Sequence, residues 1–134
     1  MSWIAEAFQR NWFYVGALVI GVIYGLGGVE HLGNILGFGE MEWSEAPLSR
    51  KLGDLGWGAL DVLAVVGIAL KWPAGLVALI AAAATQVIVY ALLPDAFALT
   101  DAHRATLRGL VWFNAVVLIV VVAALVVTVK NGTA

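Results

Sequence analysis

The sequence predicts an all-α integral membrane protein, an up-down four-helix bundle formed as one domain over residues 1–134. Three observations point there. Four apolar stretches, roughly Trp12–Gly33, Leu55–Lys71, Pro73–Leu93 and Leu107–Val129, occupy most of the chain. A helix rises ~1.5 Å per residue, so ~20 apolar residues cross a hydrocarbon core. Hydrophobic residues make up 63% of the chain and charged residues 12%, with a mean hydropathy of +0.98; soluble domains carry ~25% charged residues. The later connections are short, which makes sequential helices antiparallel neighbours.

The elements follow in order. Over Met1–Asn11, Trp3, Ile4, Ala7 and Phe8 fall on one side, so the segment either lies along the interface or extends the first helix. The first stretch reads as a span, being longer than the apolar run of a cleaved leader and lacking a small-x-small site at the right distance. Trp12, Phe13 and Tyr14 mark a headgroup boundary, as Trp57 and Trp72 do for the second span. In the long first loop, Asn34–Asp54, Ser44 is expected to cap a short helix with Glu45 in its first turn. Lys71-Trp72-Pro73 is a tight turn in which Pro73 opens the third span. The third loop, Pro94–Arg108, carries Asp95, Asp101, His103, Arg104 and Arg108.

Composition excludes several functions. A net charge of −2 provides no basic patch, so no nucleic-acid partner is expected. The chain has no cysteine, which removes disulfides, thiolate catalysis and thiolate metal sites. No phosphate loop, catalytic triad or retinal-type lysine is present, and no prosthetic group is expected in the chain itself. The expected setting is multi-pass insertion in the plasma (cell) membrane. Bases are nearly balanced between the two sides, Arg10, Lys71 and Lys130 against Arg50, Lys51, Arg104 and Arg108. The longer acidic loops suit export, which places both termini in the cytoplasm.

Polar residues inside spans are costly, so their positions carry the functional signal. Asp61 lies about six residues into the second span, ~10 Å deep. Gln86 and Asn114 reach a similar depth, and Tyr24 joins them with Glu30 and His31 about a turn above. At ~100° per residue, Asp54, Gly58, Asp61, Val65 and Ile68 share a face, as do Ala82, Gln86 and Tyr90, and His103, Leu107, Leu110 and Asn114. Gly21, Gly25 and Gly28 form a contact face, and Glu30 lies about 100° from His31, so those two need not share a site. The candidate ligand-binding layer is Tyr24, Glu30, His31, Asp61, Gln86 and Asn114.

Plainer roles compete for the same residues. Gln86 and Asn114 serve as interhelical hydrogen-bond glue, worth about 0.6 kcal/mol each. Glu30 has Arg104 or Arg108 as an interfacial partner, and His103 reads as a surface residue. A deep carboxylate must be paired, protonated or hydrated, so Asp61 admits both a functional and a structural role. His31, Asp61, Glu30 and His103 are suitable metal ligands by type. No two share an i, i+3 or i, i+4 spacing on one helix, so no metal site is expected.

Tyr24-Gly25-Leu26-Gly27-Gly28-Val29-Glu30-His31-Leu32 resembles the end of the first span in DoxX-like membrane proteins. Gly58-Ala59-Leu60-Asp61-Val62-Leu63-Ala64-Val65-Val66-Gly67 is similar to their second span, with Asp61 where the family more often has glutamate. The resemblance implies membrane redox chemistry, since some relatives are subunits of a thiosulfate:quinone oxidoreductase. It implies a small integral subunit of a larger quinone-associated assembly, with a quinone as the bound ligand. Its partners would be membrane lipid and other membrane subunits, or further copies of this chain. A purely structural assembly subunit and an oligomeric proton-coupled transporter are the alternatives.

Overall fold

The computed structural model describes residues 2–132. Among these, a short helix α1 (Ser2–Ala7) precedes four long ones: α2 (Asn11–Ile35), α3 (Leu48–Ala69), α4 (Pro73–Leu92) and α5 (Asp101–Gly132). A single 3-10 turn, Pro94–Ala96, lies in the third connection. Helices α2 to α5 are each long and apolar enough to cross a membrane. Each packs extensively on its neighbour in sequence, whereas α2 and α5 touch only lightly. The chain is an up-down bundle and a small multi-pass membrane protein. Its first and third connections share one end, the loop-rich end; α1, the end of α5 and the α3–α4 turn share the other.

Two helices begin earlier than their apolar stretches. Helix α3 starts at Leu48 rather than near Leu55, because Pro47 sits at the N-cap with φ −58° and its carbonyl accepts from Lys51 N at 3.1 Å. Ser44 does not cap it: the Ser44 carbonyl instead accepts from Lys51 Nζ at 3.1 Å. Helix α5 starts at Asp101 rather than near Leu107, because Thr100 Oγ1 accepts from His103 N at 3.1 Å and satisfies a first-turn amide. Both extra segments are polar, so they extend the spans past the apolar zone. Ser49 Oγ donates to the Ala96 carbonyl at 2.6 Å and ties the start of α3 to the 3-10 turn of the third connection.

The N-terminal segment is a separate helix, not a continuation of α2. Ile4, Ala7 and Phe8 are buried against the terminal ends of α4 and α5, while Trp3 is exposed. The Phe8 ring meets Phe13 at 5.8 Å and Tyr14 at 6.3 Å. Trp12 and Trp72 face outward, as boundary residues do, but Trp57 does not. Trp57 is buried with its indole Nε1–H donating to Thr85 Oγ1 on α4 at 3.0 Å.

The terminal half is packed with small residues. Ala64, Ala82 and Ala83 are fully buried beside Ile68, Leu76 and Leu79, so α3 and α4 run close together. They are closest at Gly67 and Gly75, where a Cβ on Gly67 would lie 2.5 Å from Gly75 Cα. The turn that follows places Lys71 in the left-handed region at φ 57° and closes with Trp72 N donating to the Gly67 carbonyl at 2.7 Å. Lys71 Nζ lies 4.5 Å from the centre of the Tyr14 ring, and Tyr14 OH donates to the Ala69 carbonyl at 3.2 Å. Helix α2 is thereby tied to the same turn.

Gly67→Ala and Gly75→Ala are each expected to lower stability by about 1–3 kcal/mol through overpacking. Gly16→Ala, where a Cβ would meet nothing within 4 Å, should be neutral. Denaturation in mixed micelles followed by circular dichroism checks this; equal midpoints for all three would contradict the close α3–α4 contact.

Candidate functional site

The loop-rich half is built differently, because each span contributes a polar side chain at one depth. From α2, Tyr24 OH donates to Asn114 Oδ1 on α5. Asn114 Nδ2 donates onward to Gln86 Oε1 on α4 at 3.0 Å and back to the Leu110 carbonyl at 2.8 Å. This string links three helices with its groups largely satisfied among themselves.

A second group joins α2 to α3. His31 Nδ1 lies 2.7 Å from Asp54 Oδ1, and Asn34 Nδ2 donates to the same oxygen at 3.1 Å. A carboxylate can only accept, so Nδ1 carries the proton and a neutral His31 ring presents a bare Nε2. That nitrogen is 3.9 Å from Asp61 Oδ2, too far for a hydrogen bond. Facing glycines create the room. A Cβ on Gly27 would come within 3.1 Å of Asp61 Oδ2, and one on Gly58 within 3.2 Å of His31 Cβ. Helix α2 opens for the aspartate of α3, and α3 opens for the histidine of α2.

Asp61 is 1% exposed, and its Oδ1 has no hydrogen-bond partner among the described residues. Arg50 Nη1 is the other buried side-chain atom so placed. An unpartnered buried polar atom is costly, so each calls for a ligand or a water. Both residues line one cavity of about 320 Å³, at the small end of the usual ~300–1,000 Å³ range for ligand sites. Its aromatic wall is centred on Trp57, whose ring lies 5.0 Å from Tyr90, 5.6 Å from Phe97 and 6.2 Å from His31.

Tyr24, Glu30, His31, Asp61, Gln86 and Asn114 all line this cavity. Glu30 stands exposed at its edge, so it shares the site with His31 despite pointing elsewhere around the helix. Arg104 does not pair with Glu30; it pairs with Asp95, nearer in the chain across the third connection. His103 is half-buried rather than a surface residue: it lines the cavity and its Nδ1 accepts from Leu99 N at 3.3 Å.

The sequence reading did not assign Arg50, Asp54 or Trp57 to the site, although its inward α3 face included Asp54 with Asp61. The signal was available: Arg50, Asp54, Trp57 and Asp61 recur at helical spacing along one stripe of α3. Among the described residues, no three His, Asp or Glu side chains are grouped to hold a metal ion.

The His31–Asp54 contact should appear as energetic coupling. In a double-mutant cycle of His31→Phe and Asp54→Asn, thermal unfolding in detergent should show non-additivity of about 0.5–3 kcal/mol. Additive effects would mean the two side chains do not interact.

Comparison with known protein families, curated proteins and solved structures gives no match, the DoxX-like family included. The chain is therefore described by its own geometry, a four-helix multi-pass membrane protein with a polar, aromatic-walled cavity at its loop-rich end.

Proposed function

We propose that this protein binds the ring head of a quinone-like amphipathic ligand in that cavity, as an integral subunit of a larger redox-linked membrane assembly. The observation that carries the reading is Asp61 Oδ1, a deeply buried acceptor without a partner in a ligand-sized cavity walled by aromatic rings. A ring bearing hydroxyl or carbonyl groups needs flat apolar surfaces and a few polar atoms at its edges. Trp57, Tyr90 and Phe97 supply the surfaces, Asp61 Oδ1 an acceptor and Arg50 Nη1 a donor. A quinone, when bound, supplies two-electron, two-proton chemistry. The chain's part is to hold the ring and to exchange protons with it, through Asp61 or through His31 Nε2, whose tautomer the Asp54 contact sets. Electrons would come from a partner subunit, in keeping with the DoxX-like pattern around Gly27-Gly28 and Gly58. The plasma (cell) membrane, with cytoplasmic termini, is the setting we favour.

A structural reading is favoured for one part of the layer. The Tyr24–Asn114–Gln86 string is bonded internally and joins α2, α4 and α5, so its main role is to hold the helices together.

Protein in lipid nanodiscs should bind a decyl-substituted benzoquinol saturably, read as quenching of tryptophan fluorescence that Trp57→Phe reduces. Leaving one partner of a buried hydrogen bond unsatisfied costs about 1–3 kcal/mol, so Asp61→Leu should weaken binding by roughly 5- to 100-fold. Unsaturable partitioning, or equal affinity in the variant, would reject the reading.

A further inference from the structure

We infer that the cavity opens sideways into the bilayer between α2 and α5, and that the ligand's apolar tail lies in this opening. The inference rests on the ligand reading above and adds where the ligand's apolar tail lies.

The seam is the loosest in the bundle. Sequential helices pack extensively on one another, but α2 and α5, the first and last spans, touch lightly. The other seams between helices are filled, while Glu30, Asn34, Arg50 and His103 line the loop-rich end. Against α3, Gly27 and Gly28 sit directly on Asp61. Between α3 and α4, the Trp57–Thr85 hydrogen bond and the Trp57–Tyr90 ring contact fill the space. Toward α5, Leu107 is buried against Trp57 and Tyr90.

The wall on the α2–α5 side consists of Ile23, Leu110 and Phe113 with Thr106 nearer the loops. Ile23 and Phe113 line the cavity while remaining 43% and 40% exposed. They belong to the inner wall and the outer surface at once, as residues at the rim of an opening do. Tyr24 forms its floor, bonded to Asn114 and stacked on Phe113 at 6.2 Å and 30°. From Ile23 to Glu30 the α2 rim rises seven residues, ~10 Å.

The chemistry of the rim selects the occupant. At the depth of Ile23 and Phe113 the surroundings are hydrocarbon, and both rim residues are apolar, so a polar molecule has no path there. An alkyl or isoprenoid chain does. A molecule that places a polar ring against Asp61 and runs a chain past Ile23 and Phe113 satisfies the deep acceptor and the apolar rim together.

The test is equilibrium binding of two radiolabelled probes in nanodiscs, a decyl-substituted benzoquinol and the same ring without its tail. Ile23→Trp/Thr106→Trp narrows the opening at exposed positions, away from the ring-binding groups; Ile23→Trp alone replaces it should the pair misfold. Narrowing should weaken the decyl probe at least about tenfold and the tail-less probe no more than about twofold. Equal losses for both probes, or no loss for the decyl probe, would overturn the placement of the tail between α2 and α5 while leaving the ligand reading intact. Failure of the decyl probe to bind the unmodified protein would remove the ligand reading and this inference with it.

Discussion

A carboxylate carried across a bilayer has no solvent to receive it, and Asp61 imposes that constraint on the whole bundle. Its burial requires α2 to present small residues at that depth, which Gly27 and Gly28 do. The same close approach brings His31 over Gly58 and within reach of Asp54. With α2 and α3 so oriented, Tyr24 points across the bundle toward Asn114 and Gln86, which also cannot face lipid without loss. The rotation of each helix about its axis follows from the need of these groups for one another.

The two halves of the bundle answer this constraint with opposite packing. At the terminal end, alanines and the Gly67–Gly75 contact draw α3 and α4 together, and Lys71 with Tyr14 fastens α2 to their turn. Thr128, a buried polar residue there, is satisfied within its own helix by the Ala124 carbonyl at 2.8 Å. At the loop-rich end, the larger rings of Trp57, Tyr90 and Phe97 pack on one another between the helices. A closed end and a wedged end together leave the cavity, and the light α2–α5 contact leaves it a side.

Much of this is legible in the sequence alone. Long apolar stretches separated by short turns define four antiparallel helices, and period-3.6 spacing turns Asp61, Gln86 and Asn114 inward. What spacing cannot show is which side chain on another helix completes a pair. Asp54 is plainly on the inward stripe of α3, but only the interhelical distance set by Gly58 makes it the partner of His31. Trp57 has the composition of a boundary residue, but it is buried with its indole donating to Thr85 on α4. Glu30 and Arg104 are complementary in charge, but Asp95 reaches Arg104 through a short stretch of chain. The early start of α3 depended on Pro47 acting at the helix entrance, where the sequence also offered Ser44.

The central claim is that the intramembrane polar groups line one hydrated, ligand-sized space rather than separate dry contacts. Water-edited solid-state NMR of the isotopically labelled protein in lipid bilayers tests it most directly. Magnetisation from water should reach the Asp61 carboxyl, the His31 ring and the Gln86 amide together, with build-up rates like those of the loops. Signals from these side chains that build up only from lipid acyl protons, or only as slowly as that of Ala82 in the closed half, would contradict it.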